Sequence, residues 1–186
     1  MPRSSAEPSN HAVPAEPGWP GEVYGVLKAA GIRQVAYVPD AGHRTLIELA
    51  HADPAMEATV LTTEEEGIAL AAGAWLGGQR SVNLIQSSGV GNCINMFSLI
   101  ASCRFPLLVL VTMRGEWGEF NPWQVPMGRA TPGALQLMGV ATHRVDSPEQ
   151  AAPTVAAAAS MAFEGDQAIA VLFSQRMLGR KVWVEK

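Results

Sequence analysis

Apolar positions along this chain fall into two rhythms that alternate with little interruption. Short apolar runs of strand length are separated by stretches in which apolar residues return every three or four positions. Residues 34–38 (QVAYV), 58–61, 82–85, 107–111 (LLVLV) and 169–173 predict strands, with a weaker one over 142–145. Helices are predicted over 22–30, 43–51, 64–76, 92–102 and 148–163, with a short one over 135–138. Gly31, Gly77 and Gly78 fall just past helix ends, where glycine commonly closes the last turn. LLVLV is apolar at every position, as in a strand covered on both faces. Strand–helix–strand alternation implies right-handed crossovers and a parallel sheet. The predicted class is therefore α/β: a doubly wound, mainly parallel sheet with helices on both faces. One domain is expected over 21–186, after a Pro-, Ser- and Ala-rich, aperiodic flexible arm over 1–20.

The run 113–132, MRGEWGEFNPWQVPMGRATP, breaks the alternation. It mixes Trp, Pro and Gly without a period and reads as a long loop, which in a small domain usually serves function. Arg114, Gln124 and Arg129 would recognise substrate there. Trp117 and Trp123 would exclude water as the loop closed.

Charge narrows the partners. The formal net charge is −4 and no Lys/Arg cluster stands out, which disfavours nucleic acid and anionic membrane. No segment is long and apolar enough to span a bilayer, and the N-terminal residues lack the apolar core of a signal peptide. A cytoplasmic location is expected. Cys93 and Cys103 are too few for a disulfide framework and lack metal spacing; both read as reduced core residues. His43, His51 and His143 are scattered without ligand spacing and read as surface or capping residues.

In open parallel sheets, ligands bind outside the carboxyl ends of the strands. Pro39-Asp40 follows QVAYV, Thr63-Glu64 follows ATVLT, Gln86-Ser87-Ser88-Gly89 follows VNLI, and Arg114 follows LLVLVT. Successive strands thus deliver an acid, a second acid, a glycine-rich turn and a basic loop to one edge. Each also has a plainer reading. Glu64, Glu65 and Glu66 suit a helix N-terminus, and Asp40 suits a turn or cap. GVGN before a helix resembles an anion nest, but it lacks both the dinucleotide spacing and a P-loop lysine.

In series, LKAAGIRQVAYVPD, EEEGIALAAGAWLGG, QSSGVGNCIN, PLLVLVTMRGE and PWQVPMGRATP resemble the pyrimidine-binding half of thiamine-diphosphate enzymes. The likeness is greatest to the sulfopyruvate decarboxylase alpha-subunit family, with phosphonopyruvate decarboxylases next. It covers nearly all of 21–173, and Glu64 followed nine residues later by Gly73 is its mark. The resemblance implies a thiamine-diphosphate-dependent 2-oxo acid decarboxylase. Glu64 would act on N1′ of the aminopyrimidine and Asp40 as an acidic proton relay. Pro39, Ser88, Gly89 and Gly91 would border the cofactor, and Gln86, Arg114, Gln124 and Arg129 the substrate. A sulfonate or phosphonate suits guanidinium forks.

Two departures qualify it. The family's diphosphate half carries GDG with an Asn beyond, whereas this chain has Gly165-Asp166-Gln167 and no Asn after Asn121. A diphosphate-binding beta subunit would therefore hold Mg²⁺, in a hetero-oligomer with two-fold symmetry. The His pair of pyruvate decarboxylases is also missing from 113–132, which leaves the 2-oxo acid open. Carboligation on the same half-site, or a non-catalytic α/β ligand-binding or regulatory module, are the alternatives.

Overall fold

The computed structural model describes residues 18–180. In chain order the elements are α1 (Gly18–Ala29), β1 (Ile32–Tyr37), α2 (Arg44–Ala52), β2 (Glu57–Val60), α3 (Glu65–Leu76), β3 (Arg80–Gln86) and α4 (Ser87–Cys93). They continue with α5 (Ser98–Cys103), β4 (Leu107–Thr112), α6 (Val125–Leu137), β5 (Ala141–Val145), α7 (Pro148–Phe163), β6 (Ala168–Phe173) and α8 (Gln175–Leu178). Among the described residues the strands form one sheet in the order β2-β1-β3-β4-β6-β5, and every pair is parallel.

Alternation along the central strands builds two cores. Leu107, Val109 and Val111 of β4 join Ile68, Val90, Cys93 and Phe97 on one face. Leu108 and Leu110 turn the other way, to Val23, Leu27, Leu46 and Val155. Hence α1, α2 and α7 cover one face, and α3, α4 and α6 the other. Each fully buried aliphatic side chain contributes about 1.5–3 kcal/mol by leaving water. This is the doubly wound α/β architecture that the hydrophobic pattern predicts. Its switch point lies between β1, which has β2 on one side, and β3 on the other; a crevice opens there at the strands' carboxyl ends.

Several boundaries differ from the sequence expectation. Helix α1 begins at Gly18, and Trp19 packs its ring 4.9 Å from that of Phe173. Residues 18–20 therefore belong to the folded unit; residues 1–17 of the expected arm lie outside the described residues. The glycine-rich turn expected over 87–91 is helical, because α4 starts directly after Gln86. Small residues let it pack closely: the sulfur of Met127 would come within 3.2 Å of a Cβ at Gly91. The helix expected over 92–102 is correspondingly split into α4 and α5, with the fully buried Phe97 in the connection.

The largest difference is 113–132. Only the part up to Asn121 is loop; a turn of 3₁₀ helix at Pro122–Gln124 leads into α6. Pro126 sits in the first turn, where no N–H is needed, and Gly128 presses against the Arg114 carbonyl, where a Cβ would collide. Pro132 is carried inside the helix, beside Thr131, whose hydroxyl donates to the Met127 and Ser87 carbonyls. Packing on α4 overrides local propensity here.

His43 is fully buried rather than at the surface, whereas Cys103 is exposed rather than in the core. No helix among the described residues is long and apolar enough to cross a membrane.

Candidate active site

Asp40 follows β1 and stands at the crevice. Its Oδ2 accepts hydrogen bonds from the Thr112 hydroxyl at 2.8 Å and the Gly42 N–H at 3.0 Å. Its Oδ1 accepts from Gln86 Nε2 at 3.0 Å. Burial pushes the carboxyl up, but attraction to His43 and these donated bonds outweigh it and leave it below its usual value. Burial drives His43 the other way, toward the neutral ring, against the pull of Asp40 and two backbone carbonyls. At neutral pH the ring is thus uncharged, so the three donors hold Asp40 ionised. His43 Nε2 lies 3.2 Å from the Ile85 carbonyl and 3.0 Å from that of Leu110. Both are acceptors, which assigns the proton to Nε2; Nδ1 has no partner among the described residues. His43 therefore ties the ends of β3 and β4 to the turn that carries Asp40.

The network runs on through Gln86. Its Oε1 accepts from the Ser88 hydroxyl at 2.7 Å and from Gln124 Nε2 at 2.9 Å. Gln124 is buried, and its Oε1 has no partner among the described residues. The structure thus joins Asp40, Gln86, Ser88 and Gln124 into one chain of bonds. Pro39 and Asp40 also line an open cleft of about 410 Å³ with Tyr37, Arg44 and Glu48.

Glu64 caps α3 by position, yet its side chain makes no cap bond. Instead its Oε2 accepts from Asn92 Nδ2 at 2.7 Å. No donor among the described residues bonds Oε1. The Glu64 carboxylate lies over Gly89, where a Cβ would collide with it. Its neighbours do differently: Glu65 accepts from the Thr63 hydroxyl, and Glu66 from the Thr62 N–H at 2.8 Å. The triple Glu therefore separates into two locally bonded carboxylates and one turned toward α4. Burial, and after it the Glu64 and Glu65 charges, push the Cys93 thiol beneath them up to about 12, so it stays protonated.

The loop before α6 is anchored at many points. Arg114 forms a two-pronged pair with Glu119, both contacts at 2.7 Å, with side chains only 8% and 2% exposed. Gln175 of α8 accepts from the Glu116 and Trp117 N–H groups and donates to Glu119. Arg144 of β5 grips Glu116. The Arg114 charge is thereby neutralised within the chain. Arg129 is exposed on α6 and remote in bonding from this network, with no hydrogen bond or ion pair among the described residues. Trp117 and Trp123 are 43% and 67% exposed.

No protein-family model matches the chain. The sulfopyruvate decarboxylase subunit alpha of Methanothermobacter thermautotrophicus is 38% identical over 151 residues, 81% of this chain and 92% of that protein. The chain belongs to the sulfopyruvate decarboxylase alpha-subunit family. The Methanocaldococcus jannaschii protein of the same name is 33% identical over 152 residues, 81% of this chain and 90% of its own length. Phosphonopyruvate decarboxylase of Streptomyces viridochromogenes is 41% identical over 113 residues, 60% of this chain but 28% of that enzyme. Among solved structures, a putative thiamin diphosphate-dependent enzyme from Mycobacterium smegmatis matches with a TM-score of 0.66 at 15% identity. The match covers 92% of this chain and 34% of that one; it bears on the fold.

In this member of the sulfopyruvate decarboxylase alpha-subunit family, sequence reasoning missed Asn92, Thr112 and His43. Asn92 lies inside the QSSGVGNCIN run, and Thr112 directly follows the strand expected over 107–111. His43 stood three residues after Asp40, and that spacing was its only signal.

Proposed function

We propose that this chain is the pyrimidine-binding subunit of a heteromeric thiamine-diphosphate-dependent 2-oxo acid decarboxylase acting on sulfopyruvate or phosphonopyruvate. The observation that carries this reading is Glu64: one oxygen is held by Asn92, the other has no donor among the described residues, and Gly89 leaves room for the carboxylate. A fixed carboxylate with one free oxygen fits the protonated pyrimidine nitrogen of the cofactor. When bound, thiamine diphosphate supplies the nucleophilic carbon and the electron sink for decarboxylation.

The chain's own residues do the rest. Glu64 gives and takes a proton at Oε1 while Asn92 keeps the carboxylate from rotating. Gly89 keeps clear the space beside it, and Pro39, Ser88 and Gly91 border the same site. Asp40, ionised and held by its donors, keeps a fixed negative charge at the switch point. Gln86 and Gln124 orient the substrate end; Arg129, exposed on α6, makes no bond to them among the described residues. Arg114 serves through the loop that it braces with Glu119. Among the described residues no group of three or more His, Cys, Asp or Glu could hold a metal ion. Mg²⁺ is assigned to a diphosphate-binding partner.

Two outcomes test this. The purified chain alone shows no 2-oxo acid decarboxylation with thiamine diphosphate and Mg²⁺, and the co-expressed diphosphate-binding partner restores it. Substantial Mg²⁺-dependent turnover by the chain alone would rule out the two-subunit reading. Gly89→Ala separates site from fold. Alanine is the better helix former by about 0.5–1 kcal/mol, so thermal stability holds or rises. The added methyl displaces the Glu64 carboxylate, and thiamine-diphosphate affinity of the assembled enzyme, measured calorimetrically, falls at least tenfold.

A further inference from the structure

A cleft of about 140 Å³ opens beside Asp40, bordered by Thr112, Arg114, Gln175 and Arg180 among others. Two arginines line it, and they differ in what holds them. The Arg114 guanidinium is occupied by Glu119 through both prongs of its fork. Arg180 is exposed and has no hydrogen bond or ion pair among the described residues. Its aliphatic stem lies across Gly118, where a Cβ would come within 3.2 Å of Cδ and 3.3 Å of Cγ. Gly118 itself has φ +59°, so the backbone conformation and the space both suit glycine. The loop thus offers a seat for the Arg180 stem at the cleft that Asp40 also borders.

The cleft therefore has an ionised carboxylate at Asp40, held by three donors, and an exposed guanidinium at Arg180 that has no partner among the described residues. A small dianion with one acidic group at each end suits it poorly near Asp40 and well near Arg180. We infer that Arg180 supplies the charge that recognises the sulfonate or phosphonate tail of the substrate, an inference that rests on the decarboxylase reading above. A tetrahedral oxyanion offers several acceptors to the planar fork of a guanidinium. Arg114, one of the two arginines that the sequence made candidates, is then a brace and Arg180 the reader.

The test uses the enzyme assembled with its diphosphate-binding partner. Arg180→Gln and Arg180→Lys are compared with the parent in two assays. One is the kcat/KM ratio for sulfopyruvate against pyruvate. The other is direct binding of 3-sulfopropanoate, which carries both acidic groups but no ketone. Loss of a charged hydrogen-bonding partner predicts a 10- to 100-fold fall in both the ratio and the affinity for Arg180→Gln. Arg180→Lys retains part of each, since charge survives and the fork does not. Equal losses on sulfopyruvate and pyruvate, or unchanged 3-sulfopropanoate affinity, would overturn the inference. Arg180-dependent binding by an assembly that decarboxylates no 2-oxo acid would support the tail site and sink the decarboxylase reading. An active enzyme whose sulfopyruvate preference ignores Arg180 would do the reverse.

Discussion

Glu64→Gln, made in the chain assembled with its partner, lowers 2-oxo acid decarboxylation by about 10²–10⁴-fold, or roughly 3–5 kcal/mol. The amide preserves the size of the side chain and can still accept from Asn92, so the local fold and partner binding survive. What it loses is the ability to take and return a proton at the oxygen that has no donor among the described residues. The direct measurement is exchange of the cofactor's reactive proton with deuterated solvent, followed by NMR after acid quench, which slows by the same factor. Glu65→Gln and Glu66→Gln are the controls. Their carboxylates already bond the Thr63 hydroxyl and the Thr62 N–H, so their effects stay within those of a helix end, about 0.3–1 kcal/mol. Greater damage from either control would move the proton-transfer role away from Glu64.

Arg114→Ala gives the largest loss of stability, about 3–5 kcal/mol. Its partner Glu119 has a side chain only 2% exposed, and removing the cation strands a buried charge. At this chain length the midpoint of thermal unfolding falls by about 2–4 °C for each kcal/mol. Arg114→Met with Glu119→Leu costs less than Arg114→Ala, because no lone charge remains. Acid titration reads the same pair. The Arg114 guanidinium, opposed by burial and helped by the Asn121 and Gly115 N–H groups and Gln175, holds the Glu119 carboxyl down at about 2. A lowered carboxyl stabilises the fold only while it is ionised. Its contribution is therefore full above the ordinary value of 4.5 and is lost as the pH falls through about 2. Urea denaturation from pH 7 to pH 2 should show this acid loss in the parent and a flatter profile in Arg114→Ala. An Arg114→Ala protein as stable as the parent would show that the pair is not a brace.

The strands were legible because their burial leaves a direct mark. LLVLV is apolar throughout because both sheet faces are covered, and its residues divide alternately between the two cores. The edge positions of Asp40, Glu64 and Gln86 followed from parallel connectivity alone. Only the end of α6 was legible, as the short helix expected over 135–138, since Pro126, Gly128 and Pro132 all argue locally for a loop. Contacts outside the helix hold it: Gly128 lies against the Arg114 carbonyl, and the Thr131 hydroxyl donates to that of Ser87. The role of Arg114 was hidden for a related reason. A sequence shows a basic residue at a strand end but not that Glu119 folds back onto it. His43 lay beyond reach because its burial depends on carbonyls from β3 and β4, 42 and 67 residues away.

The strand order has a consequence for the timing of folding. Among the described strands β6 is the last to be synthesised, yet it lies between β4 and β5 and bonds both. Until residues 168–173 emerge, β4 keeps an open edge and β5 has no neighbour. The loop after β4 waits longer still, because its anchor Gln175 follows Glu116 by 59 positions. Contacts this distant in sequence form late, since the intervening chain must be ordered first. A nascent chain halted before Ala168 would carry Glu64 and Asp40 in finished strand–helix units but could not set the loop beside them. The cleft beside Asp40 is thus completed only once Gln175 and Leu178 have emerged, well after the strand ends that carry Asp40 and Glu64.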